Sequence, residues 1–329
     1  MILQLNTKSG WEDIISQYPL IHVKFSDANL LVSPSSWKEI PTNLEPYIAQ
    51  SWYMDSDIQL ASKKFLPGKR KITLGDVSIG GDSGNTIMMT GPCSVESEIQ
   101  ITACAELCVE LGVKVLRAGC FKPRTSPYTF QGLGMDGLIL LSRMREKYGL
   151  QIITEIRDST HAEAVIEHTD WIQIGAKAMY DHGILRLCGK SKKPVLLKRG
   201  FGSTLQEFVQ AAEFILSGGN ENVVLCERGI RTFETKSRFT LDLCGVAYLQ
   251  EHVNLPVILD PSHAMGYAYG VKGLTAACAA MGVDGLIIET HPDPAKAKSD
   301  ASQQLDFDAF RNLYTHASKV CKAVGYQLI

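Results

Sequence analysis

The sequence lacks a charge excess of either sign. Its 33 lysines and arginines nearly balance 35 aspartates and glutamates, which leaves a formal net charge of −2. A protein whose main partner is a nucleic acid usually carries a broad basic excess, so this balance argues against that function class. The first twenty residues contain no basic segment followed by an apolar one, and no apolar stretch reaches the ~18 residues that span a bilayer. We therefore expect a cytoplasmic globular protein that binds neither nucleic acid nor membrane.

An even-numbered cysteine framework is also missing. The chain has nine cysteines, and an odd count argues against a fold held by disulfides. Six of them lie in apolar or helix-like contexts: Cys104, Cys108, Cys188, Cys226, Cys244 and Cys278. Free cysteine packs like a small hydrophobic residue, so these six are predicted to be reduced core residues.

From residue 86 onward, short β-like runs alternate with segments that have the period of an amphipathic helix. The predicted strands are 86–90, 114–117, 152–155, 171–174, 194–198, 222–226, 256–260 and 285–289. The predicted helices are 96–111, 137–148, 160–167, 182–187, 203–216, 238–251, 274–281 and about 308–321. Eight strand–helix units predict an α/β fold, a closed parallel (β/α)8 (TIM) barrel. An open doubly wound sheet is the alternative.

The first 66 residues have a different pattern. Short strands are predicted at 2–5, 20–25 and 29–32, and helices at 10–17 and 36–50, the second of them interrupted at Pro46. This order predicts a small α+β module of ferredoxin-like type. A segment rich in lysine and glycine, residues 67–85, is interpreted as a linker to a catalytic barrel at 86–329.

Four side chains that suit a metal ion stand at or just beyond the ends of predicted strands. Cys93 follows the first barrel strand, His263 the seventh, and Glu289 ends the eighth, with Asp300 in the loop beyond it. In a barrel of this type the C-terminal ends of the strands meet around one active-site mouth. One thiolate, one imidazole and two carboxylates suit a borderline divalent ion such as zinc, manganese, cobalt or iron(II). The pattern predicts a divalent metal site.

A second set of residues near the strand ends is cationic. It comprises Arg117, Lys122, Arg124, Lys177, Lys198 and Arg228. The densest part is the segment 116–127, in which two prolines stiffen a loop with a lysine, an arginine and two hydroxyl groups. Such groups recognise phosphate and carboxylate. A metal ringed by cations predicts a site for small, multiply anionic substrates.

Other motifs carry weaker signals. Residues 132–137 fit the pattern G-x-G-x-x-G, but a dinucleotide fingerprint must directly follow a strand, so these glycines are assigned to loop geometry. Because side chains alternate along a strand, Lys198 is expected to face inward and Arg199 outward. Asp260 either orients His263 or ends its own strand. The other histidines considered are interpreted mostly as solvated: His161, His168, His182, His252, His291 and His316.

At these motifs the chain resembles the type I, beta-subclass DAHP (3-deoxy-D-arabino-heptulosonate 7-phosphate) synthases of the DAHP/KDO-8-phosphate synthase family. The matching stretches are 91–97 (GPCSVES), 122–127 (KPRTSP), 130–134 (FQGLG), 196–200 (LLKRG), 225–232 (LCERGIRT), 260–264 (DPSHA) and 291–294 (HPDP). They cover the barrel almost end to end. The N-terminal module resembles, more faintly, the ferredoxin-like regulatory domain of that subclass.

The resemblance implies a metal-dependent, aldol-type condensation of phosphoenolpyruvate with erythrose 4-phosphate, the first step of the shikimate pathway to the aromatic amino acids. It assigns the metal to Cys93, His263, Glu289 and Asp300. Phosphoenolpyruvate would contact Arg117, Lys122, Ala176 (backbone), Lys177, Lys198 and Arg228, and erythrose 4-phosphate would contact Pro123, Arg124 and Thr125. Glu155 would lie near the attacking water, so the implied catalytic residues are Lys122, Glu155, Cys93 and His263. A homo-oligomer, a dimer or tetramer, is also implied.

Two stretches depart from the family pattern. Lys177 and Ala178 stand where the family usually has arginine and asparagine, and residues 265–268 are MGYA where it commonly has TGRR. Lysine keeps the charge of arginine but loses its bidentate geometry. Two alternatives therefore stay open. One is the same chemistry on a different sugar aldehyde, as in KDO-8-phosphate synthases, and the other is a catalytically weak regulatory barrel.

Overall fold

The N-terminal segment forms a four-stranded antiparallel sheet in the computed structural model, which describes residues 1–122 and 126–329. Its strands are β1 (Ile2–Leu5), β2 (Ile21–Lys24), β3 (Asn29–Val32) and β4 (Ile48–Trp52). They lie in the order β2-β3-β1-β4, with β1 between β3 and β4. This is the strand order of a ferredoxin-like sheet. The helix between β1 and β2 is short, α1 (Glu12–Ile15).

The second helix predicted for this module, at 36–50, is wrong. A single 3₁₀ turn, Glu45–Tyr47, forms there and leads directly into β4. Pro41 disfavours helical backbone at Ile40, and Pro46 supplies no backbone N–H. The apolar side chains of this segment nevertheless have a use, because Trp37, Ile40 and Leu44 pack against the buried face of β1. The apolar residues of this segment therefore belong to a loop that covers β1, and their spacing does not reflect a helix.

The segment interpreted as a linker contains a β-hairpin that the sequence analysis did not anticipate. Its strands are β5 (Lys71–Leu74) and β6 (Val77–Gly80). Ile72, Val77 and Ile79 are at most 1% exposed and pack with interior side chains of the barrel such as Ile87 and Met89. Because Ile87 and Met89 belong to the first barrel strand, which the hairpin precedes, the hairpin fills the end of the barrel where the strands begin.

Eight parallel strands close the barrel, as predicted. They are β7 (Asn85–Gly91), β8 (Val115–Arg117), β9 (Gln151–Ile156), β10 (Trp171–Ile174), β11 (Val195–Lys198), β12 (Val223–Glu227), β13 (Val257–Leu259) and β14 (Gly285–Glu289). Each strand pairs with the next in the sequence, and β14 pairs with β7. The closed (β/α)8 fold is confirmed and the open sheet excluded. A short strand, β15 (Gln327–Leu328), adds to the outer start of β7.

Helices surround these strands close to the predicted positions. They are α2 (Glu98–Leu111), α3 (Met135–Tyr148), α4 (Ala162–His168), α5 (His182–Lys190), α6 (Leu205–Ser217), α7 (Leu243–His252), α8 (Pro261–Met265), α9 (Ala268–Ala280) and α10 (Phe307–Ala323). Helix α8 was not predicted, and α9 begins at Ala268 where the prediction had residue 274. The third difference is α7, which was predicted from residue 238. Ile230 and Thr240 pair with each other in an antiparallel bridge, so residues 230–240 form a hairpin-like loop. The helix then begins after Asp242, whose side chain accepts a hydrogen bond from Gly245 N.

The cysteines follow the prediction with one exception. All nine are free, and eight are buried, but Cys244 in the first turn of α7 is exposed. Its predicted core position is therefore wrong.

Among the described residues, none of the helices combines the length and the apolar character that crossing a membrane requires.

A half-buried carboxylate joins the chain that follows the N-terminal sheet to the barrel. Glu213, on α6, accepts hydrogen bonds from the backbone N–H groups of Gln59 (2.7 Å), Leu60 (3.1 Å) and Ala61 (2.9 Å). Arg70 lies nearby and donates to Asn254 Oδ1 at 3.1 Å and to Leu60 O at 3.1 Å. Burial raises the pKa of Glu213 from its usual 4.5 to about 7, although the three N–H donors and Arg70 oppose the rise.

The raised pKa of Glu213 predicts that this one residue makes the stability of the protein depend on pH. A folded-state pKa above the unfolded value means that the stabilisation from this group is complete below pH 4.5 and is lost as the pH rises toward 7. The shift corresponds to ~3 kcal/mol. We expect the unfolding free energy of the wild type, minus that of Glu213→Gln, to fall by about this amount across that range. Urea unfolding at several pH values measures it, and a difference that is flat or rises with pH contradicts the prediction.

Candidate active site

The candidate metal ligands meet where the barrel closes. Glu289, the last residue of β14, pairs with Gly91, the last residue of β7, and Cys93 lies two residues further along the chain. Cys93 Sγ is 3.3 Å from Asp300 Oδ2, and one donor atom each of Cys93, Glu289 and Asp300 lies within 4.8 Å of the others. His263 Nε2 is 3.5 Å from Glu289 Oε1. The structure thus brings together all four residues that the sequence proposed for the metal.

The electrostatics of this cluster suit a cation. Burial and, after it, the carboxylate of Glu289 raise the pKa of the Cys93 thiol to about 12. A thiolate at this position therefore needs positive charge beyond that of Lys122, whose Nζ lies 3.0 Å from the sulfur. Burial lowers the pKa of His263, which favours the neutral imidazole that binds metals. The donors present fit a divalent ion of borderline softness.

Asp300 is held in an unusual backbone conformation. Its φ of +46° makes it the one described non-glycine residue with positive φ, and such strain persists only where surrounding contacts impose it. Burial alone would raise its pKa, but the positive charges of His263 in its protonated form, of Arg238 and of Lys122 outweigh burial and lower that pKa to about 2. The carboxylate therefore faces the cluster in its ionised form.

Asp260 has both of the roles that the sequence left open. It ends the strand region and caps α8, where its Oδ1 accepts a hydrogen bond from His263 N at 3.0 Å. Its Oδ2 also lies 2.8 Å from His263 Nδ1 and accepts a hydrogen bond from Lys198 Nζ at 2.5 Å. The imidazole is therefore oriented with Nε2 toward Glu289. Lys198 faces inward as predicted, and Arg199 turns away to Glu227 (2.8 Å).

A second network lies beside the metal cluster. Arg117, at the end of β8, donates to Glu289 Oε1 at 2.7 Å and to Gln173 Oε1 at 3.2 Å. Gln173 in turn donates to Glu155 Oε2 at 2.7 Å. A Cβ atom on Gly175 would lie 2.0 Å from Glu155 Oε1, so a glycine at this position leaves room for the carboxylate. Glu155 is thereby fixed at the edge of the cavity.

The cluster opens into a cavity of about 410 Å³ at the C-terminal end of the strands. Its lining includes eight residues from the sequence-predicted set: Lys122, Glu155, Ala176, Lys177, Lys198, Arg228, His263 and Asp300. The guanidinium of Arg228 lies over the ring of Phe239, with 4.4 Å from Cζ to the ring centre. Its NH1 group is buried and has no hydrogen-bond partner among the described residues. Such a buried donor suits an anionic ligand.

Some of the predicted residues are placed elsewhere or fall outside the description. Pro123, Arg124 and Thr125 are not among the described residues. Arg117, Cys93 and Glu289 lie beneath the cavity floor and are at most 1% exposed. Ala178 ends a 3₁₀ turn, Ala176–Ala178, and is buried outside the cavity lining.

Several residues of the site were missed by the sequence analysis. Gln173, Gln303 and Gln304 are buried, and each hydrogen-bonds to a predicted site residue. Arg238 and Phe239 come from the loop 230–240. Asp300 was predicted as a metal ligand, so the two adjacent polar residues 303 and 304 in the same loop could have been considered as site residues. His291, interpreted as solvated, is 4% exposed, and its Nε2 lies 3.6 Å from Glu96 Oε2.

The chain is similar in sequence to known proteins. Residues 57–324 match the model of the DAHP synthetase I family. A phospho-2-dehydro-3-deoxyheptonate aldolase from Thermotoga maritima is 45% identical over 270 residues, which cover 82% of this chain and 79% of that protein. A 2-dehydro-3-deoxyphosphooctonate aldolase from Syntrophotalea carbinolica is 32% identical over 255 residues, 72% of this chain and 91% of the relative.

A solved structure is similar over the whole chain. The crystal structure of the DAHP synthase from Thermotoga maritima aligns with a TM-score of 0.82 and 38% sequence identity. The alignment covers 100% of this chain and 99% of that one. The likeness therefore includes the N-terminal module as well as the barrel.

The geometry at Cys93 generates a prediction about metal content. Replacing Cys93 by alanine removes the sulfur donor and leaves three ligands, so we expect metal affinity to fall by at least about 10-fold. Titration of the metal-free protein with Co²⁺, followed by the thiolate-to-metal absorption, measures it. Cys188→Ala, a buried cysteine on α5, is the matched control and should bind as the wild type does. Unchanged affinity and absorption in the Cys93 variant contradict the assignment of this sulfur as a ligand.

Proposed function

Since the chain belongs to the DAHP synthetase I family and is an enzyme of that family, we propose that it condenses phosphoenolpyruvate with erythrose 4-phosphate to give DAHP and phosphate. The observation that carries the proposal is the meeting of one sulfur, one imidazole and two carboxylates in and directly beneath the lining of a cavity that also presents cations. A site of this kind suits a substrate with both a phosphate and a carboxylate.

The cations of the cavity would hold phosphoenolpyruvate. Arg228 offers a buried NH1 group without a protein partner among the described residues, and Lys198 and Lys122 lie on the same cavity wall or floor. Fixed cations of this kind bind the substrate and stabilise negative charge on the departing phosphate without reorganising. We assign the phosphate and the carboxylate of phosphoenolpyruvate to these three cations and Lys177 as a group, without dividing the two anionic groups among them.

The residues Cys93, His263, Glu289 and Asp300 would hold a divalent ion. Such an ion, when bound, supplies Lewis-acid polarisation of a carbonyl oxygen. The condensation joins C3 of phosphoenolpyruvate to the aldehyde carbon, and water adds at C2 before the C2–O bond to phosphate breaks. Glu155 is the side chain we assign to the water, because Gln173 and Gly175 fix its carboxylate at the cavity edge.

The sugar acceptor is the finer part of the proposal. The relative that is 45% identical is named for the seven-carbon product, whereas the relative at 32% is named for the eight-carbon one. Lys177 lines the cavity in place of the family's arginine, and Tyr267 lies at the neighbouring rim where the family has arginine. These changes favour testing a longer acceptor, arabinose 5-phosphate, as the second candidate.

We predict that loss of phosphoenolpyruvate, followed by its ultraviolet absorbance, requires both a divalent metal and an aldose phosphate. Mn²⁺, Zn²⁺, Co²⁺ and Fe²⁺ are supplied in turn to the metal-free enzyme. Erythrose 4-phosphate should give the highest kcat/KM in a panel with arabinose 5-phosphate, ribose 5-phosphate and unphosphorylated erythrose. A higher kcat/KM with arabinose 5-phosphate would contradict the proposed acceptor and support the second candidate. No turnover with any pair, despite bound phosphoenolpyruvate, supports a catalytically weak barrel instead.

A further prediction concerns Glu155. Glutamine at this position keeps the hydrogen bond from Gln173 but removes the carboxylate that would accept a proton from water. We expect kcat to fall by about 100-fold or more, whereas the dissociation constant for phosphoenolpyruvate and the metal content change little. Calorimetric binding and single-turnover rates separate these quantities. A full rate in Glu155→Gln removes this residue from the proton-transfer step.

A further inference from the structure

The loop after β14 carries two adjacent buried glutamines that the proposed reaction does not use. Gln303 and Gln304 are each 1% exposed. Gln303 Nε2 donates to Glu289 Oε2 at 2.6 Å, and Gln304 Oε1 accepts a hydrogen bond from Cys93 N at 3.0 Å. Each glutamine therefore contacts a different residue of the metal cluster, and both lie within four residues of a third, Asp300.

An arginine from another loop decides which way the Gln303 amide points. Arg238 NH1 lies 2.8 Å from Gln303 Oε1. A guanidinium can only donate hydrogen bonds, so the amide oxygen must face it, and the NH₂ group must then face Glu289. The opposite orientation would set the NH₂ group against the guanidinium and the amide oxygen against a carboxylate. Arg238 thus makes the Gln303–Glu289 hydrogen bond obligatory.

We infer that Arg238 is a positioning residue for the metal site, acting through Gln303 on Glu289. The inference rests on the proposed metal-dependent function. Both carboxylate oxygens of Glu289 are held, Oε1 by Arg117 at 2.7 Å and Oε2 by Gln303. A carboxylate fixed at both ends presents its remaining lone pairs in one direction, which is the requirement for a metal ligand. Releasing one end allows rotation and weakens the site.

The backbone around Arg238 is itself fixed. Its N–H donates to Met265 O at 3.1 Å, and the neighbouring Phe239 N donates to Ala264 O at 2.9 Å. A Cβ atom on Gly266 would lie 2.5 Å from Arg238 Cβ, so these two segments are in close contact. The loop 230–240 is therefore anchored on α8, the helix that carries His263. Arg238 NH1 also lies 3.8 Å from Asp300 Oδ2, which places the guanidinium near a second metal ligand.

Arg238 also lines the cavity, so a role in substrate binding is the competing explanation. The two explanations predict different results when no substrate is present. A positioning residue changes the affinity of the metal-free protein for Co²⁺ or Mn²⁺ alone, whereas a substrate-binding residue changes only KM or substrate affinity. Metal titration without phosphoenolpyruvate or sugar therefore separates them.

The experiment is a double-mutant cycle on metal affinity. Arg238→Met, Gln303→Met and the double variant are each titrated with Co²⁺ and Mn²⁺ after metal removal. Partners that orient a metal ligand typically contribute 10- to 100-fold in affinity, so we expect a loss of about this size in each single variant. If Arg238 acts through Gln303, the double variant should lose no more than Gln303→Met alone. Losses that multiply in the double variant overturn the inference, as does unchanged affinity in Arg238→Met.

Arg231→Met is the matched control. Arg231 lies on the same loop and stacks on Phe201, with 4.8 Å from its Cζ to the ring centre, so its loss tests the effect of removing a nearby positive charge. Its metal affinity should equal that of the wild type, and an equal loss in both arginine variants overturns the inference. A wild type that binds no metal overturns the proposed function itself. A metal-binding wild type with an unaffected Arg238→Met variant overturns only the positioning role.

Discussion

The pairing of the last barrel strand with the first is the constraint on which the site depends. In that register Glu289 lies opposite Gly91, and Thr290 N donates to Gly91 O at 2.9 Å. The chain leaves Gly91 with φ of +144°, and a Cβ atom there would lie 2.3 Å from Arg117 O. Only glycine permits this turn. The backbone pairing alone therefore places Cys93 near Glu289, although about two hundred residues separate them in the sequence.

Burying so many charges in one place requires that they neutralise each other. Glu289 is paired with Arg117, Asp260 with Lys198, and Arg199 with both Glu227 and Asp242. An isolated buried charge costs several kcal/mol, so each of these partners is needed for the fold as well as for the site. Arg228 differs, because burial lowers its pKa and its NH1 group has no protein partner in the described part of the chain. Arg199 Nε also has no partner there, but the rest of that guanidinium is bonded to Glu227, Asp242 and Ser203 O, whereas Arg228 lines the cavity. Its unmet donor therefore lies at the position that suits an anionic ligand.

The sequence predicted the barrel and most of the site because both are encoded by short-range patterns. A buried parallel strand is a continuous apolar run, and the polar residue at its end marks the mouth, which is how Glu289 and Arg117 could be selected. The polarity of Gln303 was visible in the sequence, but its contact with Arg238 depends on how two separate loops meet, and local polarity does not predict which loops meet. The false helix at 36–50 has the opposite cause: apolar spacing was correct, but prolines and packing under β1 turned it into a loop.

The position of α6 connects the N-terminal part of the chain with the cavity. Through Glu213 this helix holds the backbone of residues 59–61, and it follows directly after β11, whose last residue is Lys198. Between strand and helix, Arg199 donates to Ser203 O at 3.1 Å while it is paired with Glu227 and Asp242. These bonds tie the loop 199–204 to the neighbouring strand and to the start of α7. The bonded loop 199–204 therefore connects α6, whose Glu213 holds residues 59–61, to the strand that carries Lys198.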